Sequence, residues 1–469
     1  MTMAEDKLID ELCEDVYGEK DVGTHFSLPR LAKWLECVQG KWSDLPEVAS
    51  KIPLFPHMLT GALIAPMLLE LRANTGPDGS VLLSGKKTTI WALGGFFAAQ
   101  GWGTFNASTN RLTFAESGKF FVERSAAFGV ALSYRPMFYK LDTALYGTPK
   151  ELFSHDDKGH EEHVNRVLNV IGSGFMHKRY FDDMMNAFVY KIFSHEPMSE
   201  QPMMVADMGS GDGTLLKTIF MYVKNETPRG KQLTKYPLKM LGVDFSHESL
   251  EETHKVLEAA NVPHDVMWGD IGDPITMQNS IKDKFKVTND QVLHVRSFID
   301  HDRPYIAPKK AASPALKATI DNYSDAAYTE PTGVVVPPSM VFLSLVEHLE
   351  RWRACLGKFG LIVLEVSNLP VKATTKHLRE ATSLHFDSCQ SHSGQMLMPA
   401  VHYTLGASSA GLLPTPGILL YPKEAPFTRI VLQNLRPDDL VIRLALPEDL
   451  PTLTALEKNW GTDCLIASK

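Results

Sequence analysis

The sequence predicts an α/β protein: an open, mostly parallel sheet flanked by helices, preceded by a separate helical region. Three observations carry that expectation. Residues 204–220 read as strand, tight turn and helix. An apolar run at 204–206 is closed by Asp207, glycines follow at 209, 211 and 213, and Leu215, Leu216, Ile219 and Phe220 recur at helical spacing. Four more strand-length apolar runs follow, at 238–244, 265–270, 291–296 and 360–366, with intervals long enough for crossover helices. The 469 residues exceed one ordinary domain, and the first 200 lack this alternation.

The glycine turn narrows the ligand. Glycines let the backbone approach a bound group, and a helix N-terminus offers free N–H donors. A dinucleotide fingerprint asks for G-x-G-x-x-G. Here Gly209, Gly211 and Gly213 make G-x-G-x-G, and Thr214 stands where the third glycine belongs. With Asp207 ahead of them the run is D-x-G-x-G-x-G. It resembles motif I of the Rossmann-like S-adenosylmethionine (SAM) methyltransferases. The bland alternative is a glycine-rich turn without a ligand.

Composition sets outer bounds. Hydrophobic residues make up 44% of the chain, enough for a sizeable core, and the net charge of −8 disfavours a general nucleic-acid binder. The five cysteines (13, 37, 355, 389 and 464) contain no C-x-x-C pair, so neither a disulfide framework nor a thiolate zinc site is expected. A reducing cytoplasm fits. The acidic first 21 residues lack an apolar segment, and no apolar run reaches membrane-spanning length, so a soluble protein without membrane contact is expected.

Taken in order, residues 1–25 read as a polar leader and 28–38 as a helix. Residues 54–71 are apolar on most faces and read as a buried helix interrupted at Pro66. Residues 88–100 read as a second helix, and 101–114 as a hairpin turning at 108–110. Helix, helix and hairpin resemble a winged helix. Its sparse basic residues favour a lid over DNA binding. Residues 125–199 are helix-rich and aromatic. Within them, 155–163 (HDDKGHEEH) reads as a solvated helix start in preference to a metal site.

The sheet strands then follow. The second ends at Asp244, placed for ribose hydroxyls because a carboxylate can accept from both. Its interval from Asp207 is 37 residues, against about 20 in a dinucleotide unit, and the polar insert at 224–236 accounts for the excess. The third ends near Asp270 and Ile271, which are placed to frame an adenine. The fourth leads into SFIDHDRPY. The fifth, fed by a helix at 340–356, precedes a terminal hairpin at 417–435. Between the fourth strand and its helix lies a long Pro/Ala/Thr-rich loop, 304–338, made locally basic by Lys309, Lys310 and Lys317. Residues 441–456 read as a strand, a turn and a helix.

Chemistry belongs beyond the carboxyl ends of the strands. His294 and Arg296 share a strand face, and His301 follows on the loop, as a general base or a metal ligand. A second polar cluster holds His385, Gln390, His392 and Gln395, with His402 beyond. Imidazole and amide oxygens suit a borderline or harder first-row ion. Such an ion would chelate a 1,3-dicarbonyl substrate and stabilise its enolate.

Three features occur together: the D-x-G-x-G-x-G turn, the FIDHDRP and QSHSGQ clusters, and a GNAT-like (N-acetyltransferase-like) start after 439. Together they resemble the metal-dependent C-methyltransferase domains of GNAT-type polyketide synthase loading modules. The resemblance implies a Rossmann-like, seven-stranded SAM methyltransferase core (200–438), a helical, winged N-terminal lid (1–199) and the opening of a truncated GNAT-like domain (439–469). It implies SAM as cofactor, held by Asp207, Gly209, Gly211, Gly213, Asp244, Asp270 and Ile271. It implies a mononuclear iron, with manganese or other divalent ions substituting, on His301, His392 and Gln395. His385 and Gln390 are alternates, and His301 and Arg296 serve catalysis. The implied reaction methylates the α-carbon of malonyl on an acyl carrier protein, once or twice. Downstream domains of one polyketide synthase chain are further implied partners. The rival enzyme is a metal-independent O-methyltransferase with His301 as base. The rival from another class is a non-catalytic SAM-binding scaffold.

Overall fold

The computed structural model describes residues 55–85, 87–154, 161–330, 332–378, 384, 389–390 and 393–440. The expected leader, the 28–38 helix, His385, His392 and the GNAT-like tail lie outside these. Two compact units divide between Lys178 and Arg179.

In the first unit, α1 (Phe55–Asn74) and α2 (Lys87–Ala99) pack on a three-stranded antiparallel sheet. Its strands are β1 (Ser80–Leu82), β2 (Gly103–Asn106) and β3 (Arg111–Phe114), in the order β1-β3-β2. The hairpin turns at Asn110, which adopts a left-handed φ of 54°. One expectation is corrected here: α1 runs unbroken through Pro66. Ile64, Met67, Leu68 and Leu71 are all buried in the cluster around Phe96 and Phe97. That burial outweighs the one hydrogen bond a helix loses at proline. A second correction concerns 155–163. Among its described residues, His163 is buried and stacks edge-on against Phe153 at 4.9 Å, so the segment is not wholly a solvated helix start.

The second unit is built on one large sheet. Parallel strands β4 (Met204–Met208), β5 (Lys239–Asp244), β6 (His264–Trp268), β7 (Val292–Ser297) and β10 (Leu361–Val366) stand in the order β6-β5-β4-β7-β10. Antiparallel β13 (Ile430–Pro437) follows β10 and pairs with both β11 (Leu412–Pro414) and β12 (Leu419–Tyr421). The expected seven-strand path is present, with β12 as an additional short strand beside β13. The chain leaves β4 toward β5 and β6, then returns to β7 on the other side. The carboxyl ends of β4 and β7 therefore mark the switch point where α/β sheets bind ligands.

Alternating side chains feed two cores. Ala206, Met208, Leu241 and Val243 face α6 (Pro274–Phe285) and α8 (Pro338–Arg353). Val205, Met240, Leu293, Val295 and Leu364 face α4 (Thr214–Glu226) and residues 181–193. The near-continuous apolar strand sequences are what a sheet covered on both faces requires.

The expected loop at 304–338 is not structureless. It holds α7 (Pro314–Tyr323), with Ser313 accepting from Leu316 N–H as N-cap and proline at the first turn, and a two-stranded ladder of β8 (Tyr328–Thr329) and β9 (Val335–Val336). Its basic character is partly neutralised, because Lys310 Nζ lies 2.6 Å from Glu350 Oε1.

Candidate active site

The glycine turn is held open by its own geometry. Gly209, Gly211 and Gly213 all have positive φ, between 54° and 80°. A Cβ at Gly209 would stand 3.2 Å from Ile299, and one at Gly213 would stand 3.1 Å from Thr253. Gly209 and Ser210 donate their N–H groups to Val243 O, and Thr253 donates its hydroxyl to Gly211 O at 3.0 Å. The turn is thereby pinned to the end of β5 and to α5 (His247–Ala259).

Asp244 is anchored from both oxygens. Gly211 N–H donates to Oδ2 at 3.0 Å and Ser246 N–H to Oδ1 at 2.9 Å. The anchored carboxylate stands at the carboxyl end of β5, where a ribose would be met. Gly269 N–H donates to Asp244 O, which ties the end of β6 alongside. Just beyond, Asp270 Oδ1 accepts from Gly272 N–H at 2.7 Å, and half-buried Ile271 packs against the core with its carbonyl held by Trp352 Nε1–H. The structure brings all seven expected SAM residues to one edge, the carboxyl ends of β4, β5 and β6.

Asp207 is 1% exposed, and its Oδ1 has no hydrogen-bond partner among the described residues. Burial, reinforced by the nearby Asp244 and Asp212 charges, holds its carboxyl well above the usual range. An orphaned buried carboxylate beside an open glycine cradle fits a cationic, hydroxyl-bearing ligand such as SAM.

The second half of the site grows from β7. His294 and Arg296 do share a face: both meet Trp352, His294 edge-on at 5.7 Å and Arg296 through its guanidinium at 4.9 Å. Neither reaches solvent. Burial, then the Arg296 charge, lowers His294 to a pKa of about 3, so it is neutral. Arg296 pairs with Asp300 at 2.8 Å, both 1% exposed. Asp300 is also met by the Tyr403 hydroxyl, and by His348 Nε2 at 3.4 Å. Burial works against the Asp300 charge, but Arg296, His348 and the Tyr403 hydroxyl together outweigh it, and the carboxyl stays well below its ordinary value.

This buried cluster fixes the loop that carries His301. Phe298 takes a left-handed φ of 55°, strained for an aromatic residue, while donating its N–H to Leu364 O. Asp300 N–H donates to Glu365 Oε2 at 2.7 Å, and His301 Nδ1 meets Glu365 Oε1 at 2.7 Å. Burial alone would disfavour imidazolium, yet Glu365 raises the proton affinity of His301 above the ordinary value. With Nδ1 committed to Glu365, the neutral ring carries its lone pair on Nε2.

The two expected clusters do meet through the backbone. Met396 N–H donates to His301 O at 2.7 Å, so the chain around buried Gln395 runs beside His301. Gln395 N–H in turn donates to Gln390 O, and Gln390 Oε1 is a buried acceptor without a partner among the described residues. His392 lies outside them. His402 packs between Tyr323 and Phe342 on α9 (Ala400–Ser409), where burial lowers it to a pKa of about 4. Among the described residues, no group of three or more His, Cys, Asp and Glu is placed to hold a metal ion. Of the expected set His301, His392 and Gln395, His392 lies outside the described residues and the Gln395 amide is not of those types.

Glu365, His348, Trp352 and Tyr403 escaped the sequence reading. For Glu365 a signal existed: it is the one charged residue in the strand sequence LIVLEV. A carboxylate in a doubly covered strand needs a partner.

The sheet order, the glycine cradle and the carboxylates along its rim define a SAM-dependent methyltransferase. The sequence model of the AprA MT2-like domain matches residues 161–433, more than half of the chain, and that of the AprA winged helix domain matches 60–148. The chain belongs to the AprA MT2-like methyltransferase family and carries its winged helix domain. It is also similar to solved structures. These include the CurJ carbon methyltransferase (11% identity, TM-score 0.37, covering 86% of this chain and 99% of that one). Another is the DszA carbon methyltransferase (12%, 0.33, 88% and 97%). A third is LepI in complex with SAM (12%, 0.41, 93% and 100%). Comparison with curated proteins gives no match.

Proposed function

We propose that the protein is a C-methyltransferase that methylates the α-carbon of malonyl on an acyl carrier protein, with a bound divalent metal, iron foremost, as Lewis acid. The observation that carries this reading is the His301–Glu365 pair set directly beside the Gln395 chain. A histidine held through Nδ1 by a carboxylate is the arrangement a metal-ligating imidazole uses. His301 and Gln395 would hold the ion, together with His392 or the unsatisfied amide oxygen of Gln390. When bound, the metal would withdraw charge from the malonyl oxygens and acidify the carbon between them. SAM supplies the electrophilic methyl.

The chain's own residues have definite parts. Asp207 and Asp244 bind the donor's cationic and ribose ends. Ile299 occupies the space where a side chain at Gly209 would stand, which sets the His301 loop close against the glycine turn. Glu365 orients His301 and keeps its Nε2 lone pair available above the imidazole's raised pKa. Arg296 acts as a positioning residue, because its charge is spent on Asp300 inside the protein. Exposed Lys309 and Lys317 offer a docking patch for an acidic carrier protein and its downstream neighbours. The same pair also suits His301 as a general base on a hydroxyl, which is the metal-independent alternative.

One experiment separates the two. Protein purified without chelator is assayed for metal and for methyl transfer to malonyl carried on an acyl carrier protein, before and after chelation. Metal near one equivalent, with activity lost on chelation and restored by iron, is expected. Full activity of metal-free enzyme overturns the Lewis-acid reading.

A further inference from the structure

A second histidine pair lies at the other end of the sheet. His254 projects from α5 and His264 opens β6, so the pair sits at the amino end of that edge strand. The cofactor residues lie at its carboxyl end. His254 Nδ1 and His264 Nε2 are 2.8 Å apart, with ring centroids at 5.0 Å, and the His254 side chain is 52% exposed.

One of the remaining nitrogens fixes a tautomer. His264 Nδ1 lies 2.7 Å from the Val262 carbonyl, which can only accept, so that nitrogen carries the proton. In the neutral ring His264 Nε2 then bears a lone pair. His254 Nε2 faces the Glu258 carboxylate at 3.8 Å, one helical turn along. In the tautomer with its proton on that nitrogen, the one able to ligate here, His254 Nδ1 carries the second lone pair. Two lone pairs at this distance repel unless a proton or a cation lies between them.

The spacing suits a cation. Two imidazole nitrogens on one metal, each at ~2.0–2.1 Å, stand about 2.9 Å apart at a right angle and about 3.3 Å apart at the tetrahedral angle. His264 has an outer partner that ligating histidines use, a backbone carbonyl, and the Glu258 carboxylate stands 3.8 Å from the outer nitrogen of His254. We propose that His254 Nδ1 and His264 Nε2 form a surface site for a borderline divalent transition metal, copper, nickel or zinc, with water completing its sphere. Hard magnesium and calcium are excluded by the all-nitrogen donor set. The site is independent of the one built around His301.

The test is equilibrium dialysis of the full chain against zinc, nickel and copper separately, for wild type, His254→Gln, His264→Gln, Glu258→Gln and His301→Ala. His254→Gln and His264→Gln should each lose one bound equivalent, with methyl transfer unchanged. Glu258→Gln should keep the stoichiometry and weaken binding by up to about tenfold, the lower end for an outer-shell partner. His301→Ala should keep the equivalent that the other two lose. Affinity should follow copper above nickel and zinc. Binding unchanged in both His254→Gln and His264→Gln, with folding intact by circular dichroism, overturns the proposal and leaves a plain imidazole–imidazole hydrogen bond.

Discussion

Two carboxylates at the site are read by their surroundings in opposite ways. Asp207 is buried, with no partner for its Oδ1 among the described residues, so the folded chain binds its proton more tightly than the unfolded chain does. With the folded pKa raised, this contribution to stability is full below the unfolded value of about 3.9 and is lost as pH rises through the folded value. Asp207→Asn should remove that pH dependence and raise the melting temperature of ligand-free protein at neutral pH. It should also weaken SAM binding by more than about tenfold, the worth of a hydrogen bond to a charged group. Calorimetry with and without SAM reads both effects, and an unchanged SAM affinity would remove Asp207 from the cofactor site. Glu365 is buried too, but it is fully engaged by His301 and by the Asp300 and Val366 N–H groups. Because Glu365 raises the pKa of His301, Nε2 gains a proton, and can neither ligate nor accept, as pH falls through that raised value. Glu365→Gln should therefore shift the acidic limb of the pH–rate profile to lower pH. It should also lower metal affinity by about 10–100-fold. A pH profile that does not move would show that Glu365 does not act through His301.

At the scale of elements, β7, α8 and α9 are joined by a charge rather than by apolar packing alone. Asp300 takes Arg296 from β7, His348 from α8 and Tyr403 from α9. Burial, only partly offset by Asp300, lowers His348 to a pKa of about 4, so at neutral pH Asp300 and Arg296 carry the charges among these four groups, with the Arg303 guanidinium beside them on the Asp300 carbonyl. Asp300→Ala should leave Arg296 charged and uncompensated, costing about 3–5 kcal/mol. Urea denaturation checks the value, and a loss below 1 kcal/mol would mean that water reaches the cluster. The βα turn behaves differently. Gly209→Ala meets both a φ of +80° and the Ile299 side chain, so about 1–2 kcal/mol of stability should go together with SAM affinity. A variant that melts lower but binds SAM normally would separate the turn from the ligand.

For the molecule as a whole, SAM at 100 times its dissociation constant should add about 2.7 kcal/mol to the stability of the second unit. The melting transition should rise by several degrees, an increase that Asp207→Asn should cut to about half or less. Much of this architecture was legible in the sequence. Parallel strands buried on both faces show as apolar runs, and the glycines at 209, 211 and 213 are needed by a backbone that no other residue adopts cheaply. Asp207, Asp244, Asp270 and Ile271 could be placed because each lies at or just beyond the carboxyl end of a strand. Other parts were hidden. Pro66 looked like a helix end because local rules carry no knowledge of the core that keeps α1 intact. The α7 helix was masked by a Pro/Ala/Thr composition, although Ser313-Pro314 was a readable start signal.

The sequence alone determined the sheet, the methyl donor's cradle and the two polar clusters, because those depend on local periodicity and on residues adjacent in the chain. Only the tertiary structure decided what the clusters meet. Glu365 reaches His301 across 64 positions, and Tyr403 reaches Asp300 across 103. Such pairs are set by strand register and helix packing, which place distant residues side by side without leaving a trace in local sequence.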